Sequence, residues 1–126
     1  MNPKYLSARE RNARLFMIGS AIDRMRECAL TQLSDDRFRL LSGVLADLLG
    51  VDGFTEAETA EVVRVLPESR VEDGIGMVNL WLWQCMAGLT DGDVDDYVNG
   101  SLMACAILTQ TIDGLSRSDS VHPHPV

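Results

Sequence analysis

The sequence predicts an all-α fold, a compact four- or five-helix bundle that forms a single domain. Proline is absent from residues 4–66 and 68–122, apolar residues recur at helical spacing, and two capping-box patterns mark helix starts. A chain of 126 residues, 46% of them apolar, can bury a core without disulfides or metal ions. We therefore expect one helical domain over residues 7–115, a flexible N-terminus over 1–6 and a disordered tail over 116–126.

The first two helices are predicted from a capping box and two apolar stripes. Ser7 and Glu10 have the spacing at which the hydroxyl caps a helical amide and the glutamate returns to the serine amide. This pair opens a helix over about residues 8–31. A second helix is expected to start at Ser34 and to end at Gly50. The short turn between these helices predicts an antiparallel pair.

Three further helices are expected in the second part of the chain. Thr55 and Glu58 form another capping box, which opens a short helix that ends before Pro67. Residues 68–74 are expected to form a polar connection, part of which can be helical, and the fourth helix is expected over about 75–89. An aspartate-rich turn separates it from the fifth helix, expected over about 94–115.

The net charge of −8 is unevenly distributed along the chain. Residues 1–40 contain eight basic and five acidic side chains, whereas residues 41–126 contain three basic and fourteen acidic ones. An acidic chain lacks the cationic face that binds a nucleic-acid backbone. We therefore expect no direct contact with nucleic acid.

The three cysteines, Cys28, Cys85 and Cys105, are an odd number and contain no C-x-x-C pair. This pattern favours buried free thiols in a reducing compartment over a disulfide framework. No apolar run is long enough for a membrane span or a convincing signal peptide. The expected location is therefore the cytoplasm, with no membrane contact.

The fourth helix carries apolar residues on two sides. Trp81 belongs to one apolar face, whereas Leu80, Trp83 and Ala87 form a second set, and the two tryptophans lie about 200° apart on a helical wheel. Two interpretations remain open. Either this helix is the central, fully wrapped helix, or Leu80 and Trp83 contact another chain. We favour the second interpretation, because tryptophan is enriched at interface hot spots and an exposed apolar patch requires a partner.

The expected contact surface combines residues of the fourth and fifth helices. Its members are Leu80, Trp83, Gln84, Ala87, Met103 and Ile107. Small residues of the fifth helix, such as Gly100 and Ala104, allow another helix to approach closely, although tight packing within one bundle explains them equally well. We expect a two-fold homodimer through these C-terminal helices, because small homo-oligomers most often have that symmetry.

No catalytic, metal or cofactor site is predicted. The only histidines, His122 and His124, lie in the tail, so the folded region cannot assemble a Ser-His-Asp or Cys-His arrangement. The acidic run that starts at Asp91 fails as a calcium loop, because Asp96 stands where glycine is needed and Leu102 where glutamate is needed. We expect no enzyme activity.

The expected function is therefore protein binding. A small acidic cytoplasmic regulator of this kind would occupy an apolar surface on another protein and block its assembly or activity, as antiactivators of bacterial transcription regulators do. Ten of the eleven basic residues are arginine, which is typical of GC-rich bacterial or phage coding. Two alternatives remain: a secretion or assembly chaperone, and an acidic nucleic-acid mimic that occupies a cationic groove.

Overall fold

A computed structural model of the chain describes residues 6–52 and 56–121, and these residues form helices, turns and short connections without a strand. The helices are α1 (Ala8–Leu30), α2 (Ser34–Asp52), α3 (Glu56–Val65), α4 (Val71–Asp91) and α5 (Val94–Val121). The all-α prediction is confirmed. No helix in the described part of the chain is long and apolar enough to cross a membrane.

The start of α1 has the hydrogen bonds that the sequence predicts. The Glu10 amide donates to Ser7 Oγ at 3.1 Å, and the Ser7 amide donates to Glu10 Oε1 at 3.3 Å. Hydrogen bonding with the Ser7 side chain, and then with its backbone, holds the pKa of Glu10 below its ordinary value. At the other end of α1, the Thr31 amide donates to the Glu27 carbonyl.

Four helices surround one core, and each of them packs against at least two neighbours. α1 packs on α2 and α4, and α5 packs on the same two helices from the opposite side, while the short helix α3 packs on α5. Gly92 joins α4 to α5 in the left-handed conformation, with φ of 77°, which glycine adopts without a steric penalty. This arrangement leaves α4 with one outer face.

α5 is the most enclosed helix of the described structure, because it packs against α3 as well as against α2 and α4. Its fully buried side chains are Tyr97, Ser101, Ala104, Cys105, Ala106, Ile107 and Leu108. α4 packs against α1 and α5 and leaves Leu80 and Trp83 exposed, so the interpretation in which the fourth helix is fully wrapped does not describe this fold.

Glycine permits an unusually close approach between α4 and α5. A β-carbon added to Gly88 would lie 2.8 Å from the Tyr97 backbone nitrogen, and one added to Gly100 would lie 2.9 Å from Cys85 Sγ. Ala104 is also buried. The small residues of α5 therefore serve contacts within the bundle and leave no small-residue face for a second chain.

Three helix ends differ from the sequence prediction. α2 continues through Gly50 to Asp52, α4 begins at Val71 instead of residue 75, and α5 continues past Leu115 to Val121. Gly74 belongs to α4 because the absent side chain leaves space for Thr111 of α5.

The extended end of α5 is supported by an ion pair between Arg117 and Asp113 at 3.1 Å, a spacing of four residues that stabilises helices. Residues 116–121, which the sequence prediction assigns to the tail, belong to α5 in this structure. Residues 122–126 and 1–5, and the predicted cap Thr55, lie outside the described residues. Leu6, assigned to the flexible N-terminus, packs against the core.

A buried arginine fixes the start of α4 against the turn between α1 and α2. Arg37 is only 8% exposed, and its Nε donates to the Thr31 carbonyl at 2.9 Å while its Nη1 donates to Glu72 Oε1 at 3.3 Å. The pKa of Glu72 is lowered chiefly by the hydrogen bond from its own backbone amide, then by the hydrogen bond from Arg37, and further by the charges of Arg37 and Arg70. The orientation of α4 is thus set at its first turn.

Candidate protein-binding surface

The outer face of α4 carries a continuous row of apolar and small residues. Gly76, Leu80, Trp83 and Ala87 follow one another at intervals of four, three and four residues, and all are exposed. This spacing places them on one face of a helix. We call these four residues the α4 stripe. Leu80 is 70% exposed and Trp83 is 45% exposed.

The opposite face of α4 is committed to the core. Val78, Leu82 and Cys85 have no exposed area, and Trp81 is partly buried and packs against the same cluster. α4 is therefore apolar on both sides but can bury only one of them in its own chain. The inner face fixes the helix, and the stripe faces solvent.

Met86 marks the border between the stripe and the contact of α4 with α1. It follows Trp83 by three residues, is partly buried and packs against the core. A β-carbon added to Gly19 of α1 would lie 3.9 Å from Met86 Cε, so Met86 approaches α1.

The remaining residues of the predicted surface lie elsewhere. Gln84 is partly buried, and Met103 is partly buried and packs against the core. Ile107 has no exposed area, because α5 is covered on several sides at this point. Of the six residues of the predicted surface, Ile107 is buried in the single chain, and Leu80, Trp83 and Ala87 are the exposed apolar members.

Other large apolar side chains are exposed, but they do not form such a row along a helix. They are Phe16, Leu30, Leu33, Phe38, Val51 and Val65. On α1, for example, the positions between Phe16 and Leu30 on the same face are Ser20, Asp23 and Glu27, all polar. Phe16 and Val51 do line one cleft between α1 and α2, with a volume of about 390 Å³, which also contains the ion pair of Arg24 with Asp47. The stripe differs from these residues because it is an uninterrupted row on a single helix.

Carboxylates dominate the charge of α4 and α5. Residues 71–116 contain seven acidic and no basic side chains. Asp73 and Asp91 are exposed and lie near the two ends of the stripe, whereas Glu72 is paired with Arg37. The outer face of α4 is therefore apolar in the middle and negatively charged at both ends.

The structure also has an apolar groove between α2, α3 and α5, with a volume of about 500 Å³. Its apolar lining residues are Leu45, Leu49, Ala60 and Val63. The cation at this groove, Arg64, is already paired with Glu61 at 2.9 Å. The groove therefore offers mainly apolar contacts, and its charged side chain, Arg64, already has a partner.

Side chains that perform chemistry are not gathered into a site. No group of three or more His, Cys, Asp or Glu side chains in the described residues is arranged to hold a metal ion. Cys28, Cys85 and Cys105 are buried free thiols, and burial raises the pKa of Cys28, which favours its protonated form.

No protein-family model, curated protein or solved structure matches this chain. The role of the α4 stripe is therefore inferred from its own exposure, spacing and charge.

Proposed function

We propose that this protein is a non-enzymatic, cytoplasmic regulator that binds another protein through the α4 stripe. By covering the surface that it binds, it blocks the assembly or activity of its partner. An antiactivator that sequesters a bacterial transcription regulator is an example of this mode of action.

The observation that carries the proposal is the exposure of Leu80 and Trp83 on one face of a helix whose other face is buried. Burying both side chains in a complex would contribute roughly 4–6 kcal/mol of apolar transfer free energy before the cost of association. The rigid attachment of α4 to α5 supports the proposal further, because little backbone order has to be gained on binding.

The first experiment compares protein capture by the wild type, Leu80→Asp and Phe16→Asp. Phe16 is a matched control, because it is 82% exposed but lies on α1, outside the stripe. A ligand of the stripe is retained by wild type and Phe16→Asp and lost with Leu80→Asp. Circular dichroism checks that all three proteins are equally helical. Capture of the same proteins by all three would contradict the proposal.

The second step tests blocking. The self-assembly of a captured partner is measured by sedimentation with increasing amounts of wild-type protein or of Trp83→Ala. The proposal requires wild type to reduce the partner's assembly, or its activity, and Trp83→Ala to do so less effectively.

A two-fold homodimer is another use of the same stripe. With Ile107 in the core, such a dimer would depend mainly on α4, with Leu80 and Trp83 at its centre. Sedimentation equilibrium of wild type and Trp83→Ala measures the dimer dissociation constant directly. If the dimer forms through the stripe, this constant is higher for Trp83→Ala than for wild type.

The acidic nucleic-acid mimic remains a second candidate function. The observation that favours it is the absence of basic residues from 71–116. Charge-driven binding to a cationic groove would weaken steeply with salt and would tolerate Trp83→Ala. Binding through the stripe would depend on Trp83.

A further inference from the structure

We propose that the ligand of the α4 stripe is an amphipathic helix of another protein, with a basic residue about one turn beyond each end of its apolar face. This inference rests on the proposed function, because it specifies the chemistry of the partner that the stripe binds. It is carried by the position of two carboxylates relative to the four residues of the stripe.

Asp73 and Asp91 continue the stripe at its two ends. Asp73 precedes Gly76 by three residues and Asp91 follows Ala87 by four, so both lie on the stripe's side of the helix. The two carboxylates are separated by 18 positions in one helix, which corresponds to about 27 Å along its axis. An apolar ligand helix of similar length, with cations at matching separation, would contact the stripe and both carboxylates together.

Both carboxylates are available to such a ligand. Glu72 is already paired with Arg37 at 3.3 Å, whereas Asp73 and Asp91 form no ion pair within the described part of the chain. Exposed basic residues also occur on α1, which packs against α4, and directly before α4. They are Arg9, Arg11, Arg26 and Arg70. None of these arginines is paired with either aspartate, and α4 itself contains no basic residue.

The same two carboxylates disfavour a second copy as the occupant. In an antiparallel two-fold pair centred between Leu80 and Trp83, the sequence spacing places Leu80 opposite Trp83 of the second copy and Asp73 within one position of its Asp91. A parallel pair places Asp91 opposite Asp91. Like charges therefore meet at the ends in either alignment, which is unfavourable. A ligand with basic ends turns both of these contacts into attractions.

In the experiment, a phage-displayed library of 20-residue peptides is selected for binding to the intact wild-type protein. The enriched peptides are then tested for binding to Trp83→Ala. The expected Trp83-dependent peptides have apolar residues at helical spacing and Lys or Arg about 18 positions apart. A selected peptide is then synthesised, and its affinity is measured by fluorescence anisotropy against charge variants.

The double variant Asp73→Asn/Asp91→Asn is expected to bind this peptide about threefold to tenfold more weakly than wild type at low salt, as loss of two exposed ion pairs implies. Glu27→Gln is the matched control. Glu27 is exposed on α1 and its side chain forms no ion pair within the described residues, so its replacement changes the total charge but leaves the ends of the stripe intact. The affinity of this variant is expected to match that of wild type.

The outcomes separate this inference from the proposed function. Peptides that bind Trp83→Ala as well as wild type would contradict the use of the stripe and therefore both proposals. Trp83-dependent peptides without basic ends, or with affinity unchanged by Asp73→Asn/Asp91→Asn, would overturn only the inference about charge. A Trp83-dependent dimer in sedimentation equilibrium, with no peptide selected, would show a second copy as the occupant and overturn this inference.

Discussion

Gly88 of α4 and Tyr97 of α5 are so close that a β-carbon on the glycine would lie 2.8 Å from the tyrosine backbone nitrogen. The obstructing atom belongs to the backbone of α5, so it cannot move aside by a change of rotamer as a side-chain atom could. This contact fixes α4 close to the turn at Gly92, and Gly100 fixes it again against Cys85. The rigidity of the surface that α4 presents follows from these glycines.

Replacing Gly88 with alanine should therefore destabilise the protein. We expect Gly88→Ala to lower the free energy of unfolding by about 1–3 kcal/mol, because the added methyl group forces α4 away from α5. Gly76→Ala is the matched control in the same helix, since a β-carbon there meets nothing within 4 Å. It should raise stability by roughly 0.5–1 kcal/mol through helix propensity. Urea denaturation measures both variants, and equal effects would contradict the close packing.

Local sequence patterns predicted the start of a helix well where the capping residues that determine it are near in sequence. The capping box at Ser7 and Glu10 and the serine that opens α2 give helix starts that the structure confirms. The errors lie where a distant contact overrides a local preference. Gly74 lies in the polar segment ahead of the fourth helix in the sequence prediction, yet it belongs to α4, where the lack of a side chain leaves room for Thr111 of α5.

The candidate surface could be predicted only in part, for a related reason. The spacing of Leu80, Trp83 and Ala87 defines a second apolar side of α4, but a helical wheel cannot show which side another helix covers. Ile107 illustrates the difficulty: the sequence prediction places it in the contact surface, but it has no exposed area in the single chain. How many sides of a helix are covered depends on its neighbours, and sequence periodicity does not report them.

The burial of Ile107 gives a second prediction. We expect Ile107→Ala to lower the free energy of unfolding by about 2–5 kcal/mol, as removal of a large side chain from a packed core does. Val65→Ala, at a side chain that is 80% exposed, should change it by less than about 0.5 kcal/mol. Thermal or urea unfolding measures both. A small change in the free energy of unfolding of Ile107→Ala would contradict the burial of this residue.

The different surroundings of the two tryptophans give a third prediction. Trp81→Phe leaves Trp83 as the only indole, and this protein should emit at longer wavelength and be quenched more strongly by acrylamide. Trp83→Phe leaves the partly buried Trp81, which should show the opposite behaviour. Steady-state fluorescence in the absence of a ligand measures both, and similar spectra would contradict the assignment of inner and outer faces.

The lowered pKa of Glu72, which accepts hydrogen bonds from its own backbone amide and from Arg37, gives a fourth prediction, on acid stability. Because folding lowers the pKa of Glu72, its stabilising effect is present above the ordinary glutamate pKa of about 4.3 and is lost as the pH falls through the lowered value. The free energy of unfolding should therefore decrease with acidification below about pH 4.3. Protonation of Glu10 also lowers the free energy of unfolding at acidic pH, since folding lowers its pKa as well.

Glu72→Gln tests this assignment. The variant should be less stable than wild type at neutral pH and should lose less of its stability between about pH 5 and about pH 3, because the titrating carboxylate is gone. Glu68→Gln is the control, since Glu68 is exposed and its side chain forms no hydrogen bond or ion pair in the described structure. If both variants follow the wild-type pH dependence, the Glu72 carboxylate is not a source of acid sensitivity.

The contacts of α5 have a consequence for how the chain acquires its structure during synthesis. α5 leaves the ribosome after α2, α3 and α4, the three helices against which it packs. Until it arrives, the sides of these helices that pack against α5 stay open to water. Nascent chains of this protein should therefore engage chaperones that recognise apolar segments, and should be released when α5 docks.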